Sequence, residues 1–187
     1  MKISTTKQLF TEEQAVSLCK NENTGLLGKA ADFLRGERAV IEILSSKLFY
    51  FPYYCTDVHM QLPKSRRVKR PALVGSVVVD GVFGIPRGME GSPQAQELDL
   101  PASAIAKIRY TQEEAQEKTK EFVRKYIYRK FHVFPTFDAL ETILVYKPLY
   151  AVRCKKMNKR YYQIVDAEMG CKDYTFNFRY NEIQFSE

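Results

Sequence analysis

The sequence predicts an α+β protein built from two repeated modules, each with one or two helices packed on a small antiparallel sheet. The main observation is that three short motifs occur twice, in the same order, in the two halves of the 187-residue chain. The motifs are typical of a helix start, an alternating strand and a turn that follows a strand. Three matches in the same order are hard to obtain by chance, so we expect a duplication.

The first motif is a helix start, which occurs at residues 10–15 and again at residues 110–115. In both copies an aromatic residue precedes a Thr, and a Gln or Glu stands three residues after it, as in a capping box. Acidic residues in the first turn also suit the helix dipole. We therefore predict helices near Glu12–Lys20 and over Gln112–Lys130. The expected buried stripe of the second comprises Ala115, Thr119, Phe122, Val123, Tyr126 and Ile127.

A further helix is predicted in the first half, near Leu26–Arg35. A break at Asn21–Gly25 precedes it, and Gly36 is a plausible C-terminal stop. Its apolar residues recur at helical spacing: Leu26, Leu27, Ala30, Ala31 and Leu34.

The second motif is a Tyr-rich strand at residues 48–54 and 144–150. Leu, Tyr, Pro and Tyr alternate in both copies, and a period of two indicates a strand. Because proline has no N–H to give to a ladder, we expect each strand to lie at a sheet edge or to carry a bulge at Pro52 and Pro148.

The third motif is a β-branched strand that ends in Asp, with Gly four positions later, at Val79–Gly84 and Val165–Gly170. Asp can accept from nearby backbone N–H groups and Gly tolerates positive φ, so both segments predict tight turns. The predicted strands are Ala39–Leu44, Leu48–Val58, Val74–Asp80, Glu141–Lys155, Arg160–Asp166 and Tyr174–Tyr180.

The duplication predicts two modules separated by a linker. Glycines and prolines concentrate between the copies, which is typical of a connecting segment. We therefore place the first module at residues 1–90, the linker at 91–109 and the second module at 110–187.

The second copy resembles a PepSY-like module, in which a helix lies on a small antiparallel sheet. The likeness is carried by the helix start Thr-x-Glu-Glu-Ala at residue 111, and by Tyr162-x-Ile164-Val165-Asp166-Ala167-x-x-Gly170. Met169 stands where the family usually has Thr in its V-D-A-x-T-G hairpin. Most members are extracytoplasmic and occur in peptidase propeptides or as non-catalytic binding domains. The resemblance therefore implies this fold and a binding role.

Composition and charge limit the class of protein. The N-terminal residues Met1–Leu27 contain no long apolar run, and no stretch approaches the roughly 18 apolar residues that span a bilayer. We expect a soluble, cytoplasmic chain. Lys and Arg number 29 against 22 Asp and Glu, for a net charge of +7, and this basic balance permits an anionic partner.

The chemistry-bearing residues favour a non-catalytic protein without a cofactor or metal. The four cysteines form no CxxC pair, and with only two histidines a zinc pattern is absent. We expect buried free thiols, and a Cys55–Cys154 disulfide is the alternative. We interpret His59 and His132 as structural, Asp80 and Asp166 as turn residues, and the glycine-rich segment 81–91 as a loop without a phosphate-binding Lys.

Two sets of residues are candidates for partner binding. The aromatic run of Phe49, Phe51 and Tyr53 could form a binding surface on an exposed strand, although core packing is the favoured interpretation. The basic residues form two equivalent hairpins that could create one positive surface if the modules pack side by side. They are Lys64, Arg66, Arg67, Lys69 and Arg70 in the first half, and Arg153, Lys155, Lys156, Lys159 and Arg160 in the second.

We therefore expect an accessory protein that recognises a protein or peptide partner. Nucleic-acid binding through the two basic hairpins is the alternative, and an enzyme is the third hypothesis.

Overall fold

The structure is a computed structural model, and it describes residues 1–20, 40–69, 71–91 and 93–186. The predicted helix at Leu26–Arg35 and the basic residue Arg70 lie outside the described residues.

The described chain is α+β and consists mostly of sheet, as the sequence predicts. Its helices are α1 (Glu12–Lys20) and α2 (Gln112–Phe131). The strands are β1 (Lys2–Thr6), β2 (Ile41–Gln61), β3 (Ala72–Asp80), β4 (Pro86–Met89), β5 (Ala95–Asp99), β6 (Thr136–Lys156), β7 (Lys159–Asp166) and β8 (Cys171–Lys172). Neither described helix has the length and apolar composition needed to cross a membrane.

The sheet is organised around β2 and β6, which are 21 residues long and antiparallel along their whole length. Phe51 lies opposite Lys147 at the centre of this ladder. Strand β3 pairs with the C-terminal part of β2, and β7 pairs with the C-terminal part of β6. Because β2 and β6 run in opposite directions, β3 and β7 lie at opposite ends of the sheet. The described residues of the two strands predicted at Ala39–Leu44 and Leu48–Val58 therefore belong to one strand, which begins at Ile41.

The prolines correct our expectation of edge strands or bulges. Pro52 lies opposite Tyr146 and Pro148 opposite Tyr50, at the centre of the two innermost strands and away from the register shifts. The Pro52 carbonyl accepts from the Gly81 N–H, and the Pro148 carbonyl accepts likewise from the turn after β7. The N and C=O of one strand residue point to the same side, so both proline nitrogens point away from the β2–β6 ladder. Neither proline removes a bond from it.

One side of the sheet, called here the helix face, carries both helices. Residues that alternate along β2 and β6 point to it, including Tyr50, Tyr54, Tyr146 and Tyr150. The helix α2 buries a stripe at a strict spacing of four: Ala115, Thr119, Val123 and Ile127. The predicted stripe was too wide, because Tyr126 is 56% exposed.

The helices exchange places between the two halves of the chain. Helix α1 packs on the end of the sheet that contains β7, where Ala15 and Cys19 share a buried cluster with Val165 of β7 and with Ile41 of β2. Helix α2 packs on the end that contains β3, where Ala115 contacts Val79. Each helix therefore lies over both long strands and beside the outer strand of the other half of the sequence.

Matching contacts hold the two helix starts in place. The turn after β3 offers the Gly81 carbonyl to two N–H groups that precede α2, and the turn after β7 offers the Ala167 carbonyl to two that precede α1. The donors are Arg109 and Tyr110 in the first case, and Leu9 and Phe10 in the second.

The two turns use an Asp carboxylate in the same way, although that of Asp80 accepts from more N–H groups than that of Asp166. The Asp80 carboxylate accepts from the N–H groups of Val82, Phe83, Gly84 and Ile85, and that of Asp166 accepts from Glu168 and Met169. Gly84 and Gly170 end the turns at φ 67° and 64°. This agrees with the sequence interpretation of the two aspartates as turn residues.

The opposite side of the sheet, called here the tail face, is partly covered by the C-terminal tail, residues 173–186. We predicted a strand at Tyr174–Tyr180, but this segment forms turns and a 3₁₀ turn. Its alternating aromatics resemble a strand pattern, yet Phe176 inserts into the core against Phe51, with ring centroids 4.8 Å apart. Hydrogen bonds within the tail, such as that from the Arg179 N–H to the Phe176 carbonyl, take the place of hydrogen bonds to a neighbouring strand.

The segment predicted as a linker, residues 91–109, takes part in the sheet and the core. It contains β5, which pairs with β1. Ile105 is buried and forms a parallel bridge with Tyr50 on β2, and Thr5 of β1 forms a corresponding bridge with Tyr146 on β6.

Candidate functional site

The candidate site is a pocket of about 530 Å³ on the tail face, called here the open pocket. It lies beside the C-terminal tail, over the part of β2 that pairs with β3. Its floor comes from the central strands: Tyr53, Cys55, Val78 and Val145. Its walls include Arg87, Met89, Lys147, Asp166, Glu168, Met169, Cys171, Lys172, Asp173 and Tyr174. The pocket is therefore an apolar floor within a charged wall.

The charged groups of the wall are largely paired with one another. The Lys147 ammonium lies 2.5 Å from an oxygen of Asp166 and 3.7 Å from one of Glu168. Arg87 lies 3.8 Å from Asp173 and also over the ring of Phe176. With Lys172, the wall holds three cations and three carboxylates, so it carries no net charge. This balance favours an uncharged ligand.

The two thiols of the pocket and the Tyr53 phenol have raised pKa values, so these three groups stay protonated at neutral pH. Burial, with a smaller contribution from Asp57, raises the pKa of the Cys55 thiol to about 11. Burial and the nearby Asp166 raise the pKa of Cys171. Burial and the Asp173 carboxylate raise the pKa of the Tyr53 hydroxyl. Thiolate is the nucleophilic form of cysteine, so this environment suits binding better than covalent catalysis.

Two of the three aromatic candidates for partner binding are packed in the core, which is the interpretation that the sequence favoured. Phe49 and Phe51 are fully buried in the core of the tail face. The tail covers them, with the Tyr180 ring 5.5 Å from Phe49. A partner cannot reach either ring in the folded chain, whereas Tyr53 lines the open pocket.

The basic residues do not form one surface. Lys64, Arg66, Arg67 and Lys69 are exposed in the β2–β3 connection, and the other cluster lies at the tip of the β6–β7 hairpin. Because β2 and β6 are antiparallel, the two tips lie at opposite ends of the ladder, roughly 60 Å apart along the strands at about 3.3 Å per residue. The condition under which the two clusters would form one positive surface is therefore not met.

The hairpin cluster is also partly neutralised. The Lys155 ammonium lies 3.1 Å from the Glu42 carboxylate on β2. Arg153, Lys155 and Lys156 are half-buried, which leaves Lys159 and Arg160 as its exposed cations.

The cysteines are free thiols, and three of the four are buried. Cys55 lies on the tail face opposite Ile143, and Cys154 lies on the helix face roughly 35 Å further along the strand. This separation excludes the alternative Cys55–Cys154 disulfide. Cys19 of α1 instead contacts Cys154, and the hydrogen bond between them and burial raise the pKa of Cys19.

The histidines lie apart from the open pocket. His59 is half-buried within β2, and His132 is the left-handed C-cap of α2, at φ 56°. Among the residues that the structure describes, no group of three or more His, Cys, Asp and Glu side chains could hold a metal ion.

Sequence reasoning missed most of the open pocket, because its walls come from segments that the fold brings together. One signal was present in the sequence. Lys147 stands within an otherwise apolar motif, at the position where the first copy has the buried Phe51. A charged residue at a central strand position indicates a local opening in the core.

Comparison with protein-family models, with curated proteins and with solved structures finds no match for this chain.

Proposed function

We propose that the protein is a non-catalytic accessory protein that binds a segment of a protein partner in the open pocket. The observation that carries this proposal is an open pocket with an apolar floor on the tail face, in which Tyr53 and Val78 are half-buried. Apolar side chains continue the surface beyond the pocket, since Ile143 is 49% and Val74 is 67% exposed. Exposed apolar patches of this kind mark interaction sites.

The rim of the pocket supports the same role. Met169 and Tyr174 line it and are 67% and 69% exposed. Methionine and tyrosine are enriched at protein interfaces, because one adapts its shape and the other combines a large apolar ring with a polar end.

Nucleic-acid binding through the basic clusters is the alternative function. The exposed loop with Lys64, Arg66, Arg67 and Lys69 favours it, and the separation of the two clusters weakens it, because one continuous basic surface is absent from the described residues.

Affinity capture with three baits tests the proposal. The baits are the natural chain, a pocket variant with Met169→Arg, and a hairpin variant with Lys155, Lys156, Lys159 and Arg160 replaced by Ala. We expect one protein to be captured by the natural chain and the hairpin variant and lost with the pocket variant. Capture of the same proteins by all three baits would sink the proposal. If only the hairpin variant loses its captured material, and the eluate of the natural chain contains nucleic acid, the alternative function would be favoured instead.

We also propose that the chain consists of two diverged copies of one module. The matching turns, helix starts and bridges support this duplication. Each helix packs over β2 and β6 and beside the outer strand of the other half, so the two copies are intertwined. The PepSY-like resemblance belongs to the same proposal and extends only to the pattern of a helix on an antiparallel sheet.

A further inference from the structure

The C-terminal tail shows how a peptide segment can occupy the tail face. The Phe176 side chain is fully buried, and the Tyr180 and Phe185 rings pack against Phe49 at 5.5 and 5.8 Å. The tail is also anchored through its backbone, because Asp173 N–H donates to the Ile164 carbonyl at 2.8 Å. Aromatic side chains thus close this half of the face.

The floor of the open pocket occupies the corresponding register positions in the other half. The central pair Phe51–Lys147 has Phe49–Leu149 on one side and Tyr53–Val145 on the other. Further out, Ala151 pairs with Ile164 under the tail, whereas Cys55 pairs with Val78 in the pocket. The four residues under the tail, Phe49, Leu149, Ala151 and Ile164, therefore correspond to Val145, Tyr53, Cys55 and Val78.

The strands β4 and β8, which follow the two turns, also begin with equivalent pairings. Lys172 pairs with Val165 just as Pro86 pairs with Val79. Beyond this point the tail crosses the face, whereas β4 continues along the edge of β3 as far as Met89. The segment that would cover the second half is thus absent from the described chain, and the pocket marks its place.

We propose that the open pocket takes an uncharged peptide segment of a protein partner that inserts a Phe or Tyr ring, as the tail inserts Phe176 in the other half. This inference rests on the proposed function and specifies its ligand. Met89 and Met169 stand in the walls, where sulfur contacts stabilise an aromatic ring. The balanced charges of the wall disfavour a strongly charged segment.

The probe for the test is a synthetic peptide with blocked ends and the sequence of residues 174–178, which has no charged side chain. It is titrated into the full chain, and binding is followed by calorimetry and by NMR shifts at Val78 and Val145. We expect saturable binding, weakened at least about tenfold when the peptide carries Ala in place of Phe176, because the inserted ring supplies most of the contact.

Protein variants locate the bound peptide. Tyr174→Ala and Met169→Ala remove exposed wall residues, so both should fold normally and bind at least about fivefold more weakly. Phe178→Ala is the matched control, since Phe178 is 91% exposed and lies outside the pocket lining. We expect its affinity to equal that of the natural chain.

Three results would overturn the inference. The first is the absence of saturable binding, and the second is binding that does not change in the Tyr174→Ala and Met169→Ala variants. The third is a dimer of the chain that the peptide dissociates, because the pocket would then be occupied by the tail of a second copy. If the peptide fails while affinity capture still yields a protein that is lost with Met169→Arg, the proposed function stands and only the aromatic ligand is wrong.

Discussion

The ring of Phe10 lies directly over Gly170, so that a Cβ at position 170 would overlap it. This contact joins the segment before α1 to the turn after β7, and the ring of Tyr110 lies over Gly84 in the same way. Each aromatic residue thus fastens its helix to the strands of the other half. In both turns glycine is required twice, for the space and for the positive φ.

Replacing Gly170 by Ala should therefore destabilise the fold by about 3 kcal/mol, through backbone strain and overpacking against Phe10. Thermal and denaturant unfolding measure the change. Gly88→Ala is the control, because a Cβ there meets no atom within 4 Å, and it should be nearly neutral. Equal effects at both positions would contradict the packing of Phe10 on Gly170.

The cap of α2 gives a second prediction. The Thr111 hydroxyl accepts from the Glu114 N–H at 3.3 Å, and the Glu114 carboxylate accepts from the Thr111 N–H at 2.8 Å. Thr111→Ala should reduce the free energy of unfolding by about 1 kcal/mol. Thr111→Ser should keep most of this contribution, because serine also has a hydroxyl that can cap the helix. Equal stabilities of the Ala and Ser variants would show that the cap contributes nothing.

The Cys55 thiol predicts a loss of stability at alkaline pH. Burial raises its pKa from the ordinary value of 9.0 to about 11, so the unfolded chain releases the proton first. The free energy of unfolding should fall as pH rises from 9 to 11, by about 2 kcal/mol from this group. The Cys55→Ala variant should lack this part of the decline in denaturant titrations at pH 8, 9, 10 and 11. A parallel decline in both proteins would assign it to other groups.

The exchanged helices predict that the two halves stay together after the chain is cut. A protease site inserted between β4 and β5 should give fragments that co-elute, because the β2–β6 ladder and both helices cross the cut. Each fragment alone should fail to unfold cooperatively, and mixing should restore a cooperative transition by circular dichroism. Separation of the fragments under native conditions would contradict the exchange.

The local features of the fold were predictable from the sequence. Both helix starts and both Asp–Gly turns lie where the motifs place them, since a capping box or an Asp that binds nearby N–H groups acts within a few residues. The strand prediction failed at Tyr174–Tyr180, because packing of Phe176 in the core overrode the alternating pattern.

The candidate site was not predictable, because it depends on long-range pairing. Antiparallel pairing of β2 with β6 separates the basic clusters, and the position of the pocket depends on where the C-terminal tail stops covering the tail face. A local pattern determines which residues alternate along a strand. It does not determine which of the two equivalent halves of the tail face another segment will cover.

The long β2–β6 ladder also determines when a nascent chain is most prone to aggregate during synthesis. Strand β2 is synthesised well before β6. Strand β3 can form a hairpin with β2 at once, but the edge of β2 that pairs with β6 stays unpaired until β6 is made. During this interval Phe49 and Phe51 lack both β6 and the tail that buries them, and an unpaired edge beside exposed aromatics is a template for aggregation. Because the decisive contacts join distant parts of the sequence, we expect this chain to fold slowly and only after residues 173–186 have been synthesised.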